Sequence, residues 1–181
     1  IAISPGNGYP TINSIANHAT GTIGAIAPNF VTISNEGAIE GGTLSAVGQA
    51  DAGTSSPIAN AGTIENPGTA ATITSPPGSS FYASGTITNT GTITNGSSGA
   101  AISTGNQTFL NNNAGGIIAS NGATTITNSH ALVLNNAGTI TNGSSSGSRS
   151  SGAIVALTNA QTGVITAETG SSAISASSKA A

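Results

Sequence analysis

Residues 134–143 read LNNAGTITNG, from Leu134 to Gly143, and residues 87–96 read ITNTGTITNG, from Ile87 to Gly96. Both carry an aliphatic residue, Asn two places later, Gly two places after that, and Ile two places after the Gly. The alternation of Ile with Thr in GTITN is the period-2 mark of a strand with one buried face, and β-branched residues suit that pleated surface. Neither stretch is long enough to fold alone, so the question is whether the pattern returns.

It returns along most of the chain, in IANHATGTIG from Ile15, ISNEGAIEG from Ile33, IANAGTIEN from Ile58, LNNNAGGIIA from Leu110 and LTNAQTGVITA from Leu157. Aligned on their glycines, the segments place Gly21, Gly37, Gly62, Gly91, Gly115, Gly138 and Gly163 at one corner, with Ile23, Ile39, Ile64, Ile93, Ile117, Ile140 and Ile165 two places on. Ile102 and Ile126 supply a third apolar centre nine residues after Ile93 and Ile117, as Ile73 and Ile174 do after Ile64 and Ile165. Three apolar clusters per repeat predict three short strands per coil. Fixed-period self-similarity of this length is the signature of a solenoid. The expectation is an all-β, right-handed parallel β-helix of about seven coils and roughly 24 residues per coil, the hand following the general bias of parallel crossovers.

Stacked coils convert a repeated residue into a ladder. Asn17, Asn35, Asn60, Asn89, Asn112, Asn136 and Asn159 then line up as side-chain amides, because Asn tolerates tight corners and bonds nearby backbone. The corner glycines, Gly62, Gly91 and Gly138 among them, are read as positions of positive φ. Residues 1–14 are expected to form an N-terminal cap or partial coil, and residues 15–181 a single solenoid domain. The irregular stretches TSPPGSSFYASG and NGSSSGSRSSG read as loops leaving the rod.

Composition narrows the function. Only 4% of residues are charged, with two bases against five acids. Phosphate binding runs on clustered Lys and Arg, so nucleic acid is excluded as a partner. A surface so poor in charge keeps copies apart weakly, which suits material meant to assemble. There is no Cys, hence no disulfide framework and no thiolate metal site. No apolar run reaches the roughly 18 residues of a membrane helix, so membrane insertion is not expected, and no residue pattern calls for a cofactor.

The segments LNNAGTITNG and ITNTGTITNG resemble repeats of autotransporter passengers, and LNNNAGGIIASNGATTIT is similar to the filamentous haemagglutinin repeat. The likeness to these bacterial type V secretion exoproteins runs from Ile15 onward. It implies a β-helix displayed outside the cell or on its surface, as an adhesin or fibre.

Candidate chemistry is sparse. Glu40 and Glu65 each follow the corner Ile of successive coils, which puts their carboxylates outward about 5 Å apart. They are a candidate cation pair, with two solvated surface glutamates as the plainer reading. His18 and His130 fall at non-equivalent places and form no ligand set. Asn95, Asn106 and Asn142 begin glycosylation tripeptides, a pattern that arises freely in a chain rich in Ser, Thr and Asn. Phe81 and Tyr82, in the Pro-rich loop, are the candidate binding aromatics. Threonines flanking the corner Ile raise ice binding, although only Thr92/Thr94 and Thr139/Thr141 give a full pair. The expectation is therefore a non-enzymatic extracellular rod, a subunit of a surface fibre or adhesin that stacks head to tail. A glycan- or host-binding passenger segment and an ice-binding solenoid are the alternatives.

Overall fold

The computed structural model describes residues 14–26, 32–42, 46–48, 57–75, 85–105, 107–129, 131–143, 153–167 and 172–175. Among them there is no helix, and the strands form three parallel sheets visited in turn. The first sheet holds Ser14–Asn17, Thr32–Asn35, Ile58–Asn60, Gly85–Asn89, Thr108–Asn112, Ala131–Asn136 and Ala153–Asn159. The second holds Thr22–Ile23, Ala38–Glu40, Thr63–Asn66, Thr92–Asn95, Ile117–Ser120, Thr139–Asn142 and Val164–Ala167. The third is shorter, with Val47–Gly48, Ile73–Ser75, Ile102–Thr104, Thr124–Asn128 and Ser172–Ser175, and a single bridge joins Ile26 to Val47. The chain is a parallel β-solenoid.

Register explains why the repeat is needed. Each strand pairs with its counterparts one coil away, so identical positions meet: Ile33 with Ile58, Ile39 with Ile64, Ile73 with Ile102. Inward residues therefore stack on one another and close a dry column. Ile39, Ile64, Ile93 and Ile140 from the second sheet, Ile87, Leu110 and Leu134 from the first, and Ile73 and Ile102 from the third are all fully buried. Burying each such side chain contributes roughly 1.5–3 kcal/mol. Many of the outward positions between them are Thr, Ser or Ala, as in TITN over 92–95 with its alternating half-buried and buried residues.

The alignment of the fifth repeat needs correction. Ile118, not Ile117, occupies the core ladder: it pairs with Ile93 and Ile140 and is 0% exposed, whereas Ile117 is 42% exposed on the outer face. The cause is the corner. Tight corners run Asn-x-Gly, as in Asn89 to Gly91, while the corner from Asn112 takes three intervening residues before its Gly. Those residues close a turn in which the Gly116 N–H donates to the Asn113 carbonyl at 2.9 Å and Gly115 adopts φ 84°. The corner glycine is Gly116, and the rule of Ile two places later survives with Ile118. The Asn17 and Asn159 corners have the same long form, with Gly21 bonded to His18 at 2.7 Å and Gly163 to Ala160 at 2.8 Å.

The reason for Gly at the tight corners also differs from the expectation. Gly115 is the one described glycine with positive φ. At Gly62 and Gly91 the constraint is approach between coils: a Cβ on Gly91 would be driven into the Gly62 carbonyl oxygen, and one on Gly62 into that of Gly37. Only hydrogen leaves room for the coil beneath.

Candidate functional site: amide ladders and outward faces

Seven asparagines at the first corner form one continuous chain of amides. Asn17 Nδ2 donates to Asn35 Oδ1 at 2.7 Å, Asn35 to Asn60 at 2.8 Å, Asn60 to Asn89 at 2.8 Å and Asn89 to Asn112 at 2.9 Å. Asn112 donates to Asn136 and Asn136 to Asn159, both at 2.8 Å. Each inner amide does more. Asn60 Nδ2 also donates to Gly62 of its own corner at 3.1 Å and to Thr92 of the next coil at 3.0 Å. An amide nitrogen has two N–H groups, so three acceptors mean that one hydrogen is shared. The residues from Asn35 to Asn136 are 2% exposed or less. Chains of hydrogen bonds in a low dielectric polarise one another, and each Asn fastens two coils.

Two further corners carry polar side chains that sequence reasoning missed. At the end of the second sheet, Asn66, Asn95, Ser120 and Asn142 are buried. Asn95 donates to Ala70 at 2.8 Å and accepts from Ser97 and Gly99 at 3.1 Å each, and Asn142 donates to Gly122 at 3.0 Å. Their recurrence two places after Ile64, Ile93 and Ile140 was the available signal, masked by Ser at 120 and Gly at 41. In the third sheet Asn128 donates to Thr104 Oγ1 at 2.7 Å. Among the described residues no buried side-chain nitrogen or oxygen lacks a partner. Asn95 and Asn142, as members of these networks, are closed to glycosylation in the folded chain; Asn106 lies outside the described residues.

The surface candidates sort as follows. Glu40 and Glu65 are in register on adjacent strands and both exposed. No group of three potential metal ligands occurs among the described residues, so the pair gains no third donor. His18 Nδ1 lies 3.9 Å from Glu36 Oε2, both well exposed. Phe81, Tyr82 and His130 lie outside the described residues. On the second sheet the outward row runs Thr22, Ala38, Thr63, Thr92, Ile117, Thr139 and Val164. Ala38, Ile117 and Val164 interrupt its hydroxyls, and Glu40 and Glu65 stand in the row beside it.

On the first sheet Phe109 points outward and is 36% exposed. It is flanked in register by Thr86 and Val133. Two residues along, Asn135 Nδ2 donates to Asn111 Oδ1 at 2.9 Å on the open surface. A shallow depression of about 90 Å³ adjoins them, lined in part by Asn113, Asn135, Thr158 and Ala160.

No family model, curated protein or solved structure matches the chain.

Proposed function

We propose that this chain is a non-enzymatic extracellular rod, the subunit of a bacterial surface fibre or adhesin of the type V secreted kind, and that copies stack end to end. The buried asparagines of the first corner support this reading, because they join coil to coil.

The single observation that carries end-to-end stacking is the register: each strand pairs in parallel with its equivalent one coil away, so one coil's edge is complementary to the next. The corner asparagines bond from coil to coil along the whole ladder, from Asn17 donating to Asn35 to Asn136 donating to Asn159. Leu157 is 49% exposed, while Leu134 beneath it is 0%. A second copy in register would place Asn17 over Asn159, Ile15 over Leu157 and Ile23 over Ile165, repeating the contacts already made between coils. Unpaired strand edges are templates for such addition, and a head-to-tail contact that does not close gives a filament.

Electron microscopy of the purified chain tests this. The expected result is filaments with an axial repeat of roughly 30–35 Å, the height of seven rungs at about 4.8 Å, abolished by Leu157→Lys. Monodisperse single rods at millimolar concentration would overturn end-to-end stacking.

A further inference from the structure

The first sheet carries no formally charged residue on any of its strands; the described charges, at His18, Glu36, Glu40 and Glu65, all belong to the corners and the second sheet. Its outer face nevertheless has a built polar feature. The exposed bond between Asn135 and Asn111 uses one N–H and one carbonyl oxygen. The Asn111 NH₂ and the Asn135 Oδ1 have no partner among the described residues, so the pair leaves a donor and an acceptor open to a ligand. A hydroxyl group both donates and accepts, so separate hydroxyls of one ligand match the two groups. Thr158, in register with Asn135, adds a third hydroxyl-matching group at the next rung, against the depression. About 6.7 Å along the strand from Asn111, the ring of Phe109 offers an apolar face.

An aromatic platform beside open amide groups, on strands that carry no charged residue, fits a ligand with one apolar face and a fringe of hydroxyls. We propose that Phe109, Asn111, Asn135 and Thr158 form a binding site for a neutral glycan. One sugar ring lies on Phe109, hydroxyls of the glycan meet the Asn111 and Asn135 amides, and the next sugar along extends toward the depression of about 90 Å³ beside Asn135 and Thr158. Pockets of this kind owe their orientation to a few placed polar groups. The site is independent of the end rungs, so it stands whether or not the chain polymerises.

The test is an array of neutral oligosaccharides (glucans, galactans and chito-oligosaccharides) with sialylated and sulfated glycans alongside, followed by calorimetry on the strongest neutral binder. Saturable binding of a neutral glycan is expected, weakened about tenfold or more, which is roughly 1.4 kcal/mol, by Phe109→Ala and by the pair Asn111→Leu with Asn135→Leu. Phe109→Tyr should retain it, and Thr94→Ala on the second sheet should leave it unchanged. All four positions face outward, so far-UV circular dichroism should match the parent. Failure to retain any neutral glycan, retention of acidic glycans alone, or undiminished binding by Phe109→Ala would each overturn the proposal.

Discussion

Replacing Asn89 by Ala removes the middle of the amide ladder. Four bonds go: one accepted from Asn60 at 2.8 Å, and three donated, to Asn112 at 2.9 Å, to Gly91 at 3.0 Å and to Ile117 at 3.2 Å. The losses are unequal. Asn60 keeps its bonds to Gly62 and Thr92, and the Gly91 carbonyl keeps the Ile117 N–H at 2.8 Å. Asn112 Oδ1, on a side chain 1% exposed, loses its amide donor. Leaving such a group unsatisfied costs about 1–3 kcal/mol, and the lost bonds add about 1 kcal/mol net. The expected destabilisation is about 3 kcal/mol, measured by urea unfolding with an unchanged m-value. The exposed control Asn135→Ala should cost under about 0.5 kcal/mol. Asn89→Asp adds a pH signature. A buried carboxylate facing an amide oxygen and two carbonyls is held protonated above the roughly 3.9 of a free Asp. The folded state then binds more protons than the unfolded state, so stability falls as pH rises from 4 to 8. Equal costs for Asn89→Ala and Asn135→Ala would refute the reasoning.

The remaining predictions concern register, packing and charge. Ile118→Ala should cost about 2–5 kcal/mol by opening a core cavity, whereas Ile117→Ala should cost less than about 1 kcal/mol; the reverse order in thermal unfolding would restore the alignment on Gly115. Gly91→Ala should strongly destabilise the rod or prevent its folding, because the new Cβ meets the carbonyl of Gly62; a neutral effect in urea unfolding would mean that the coils are further apart. Glu65→Gln should stabilise by roughly a few tenths of a kcal/mol, since like charges directly opposite on paired strands repel, and the gain should vanish in 0.5 M NaCl.

The ladder and the core were readable because every coil repeats the same contact, so one residue type recurs at one offset. The doubled Gly115-Gly116 and Ile117-Ile118 defeat that logic, since two alignments satisfy it equally and the turn at Asn113 chooses between them. The second polar corner was harder to read for a related reason. Asn66, Asn95 and Asn142 recur, yet Ser120 does similar bonding with a different side chain, donating to Gly99 at 2.7 Å and accepting from Gly122 at 2.8 Å. Glycine's role was mistaken because a sequence shows that a Cβ is missing but not whether backbone torsion or a neighbouring coil requires it. Phe109 drew no notice because strand alternation beside Leu110, and not residue type, decides which of the two faces out.

Hydrogen exchange of the side-chain amides, followed by nuclear magnetic resonance, tests the coil-to-coil ladder most directly. The account predicts that the Nδ2 hydrogens of Asn35, Asn60, Asn89, Asn112 and Asn136 exchange as slowly as the backbone amides of the strands they join, while Asn111 and Asn135 exchange at rates close to free side chains. Uniformly fast exchange across all seven would contradict it.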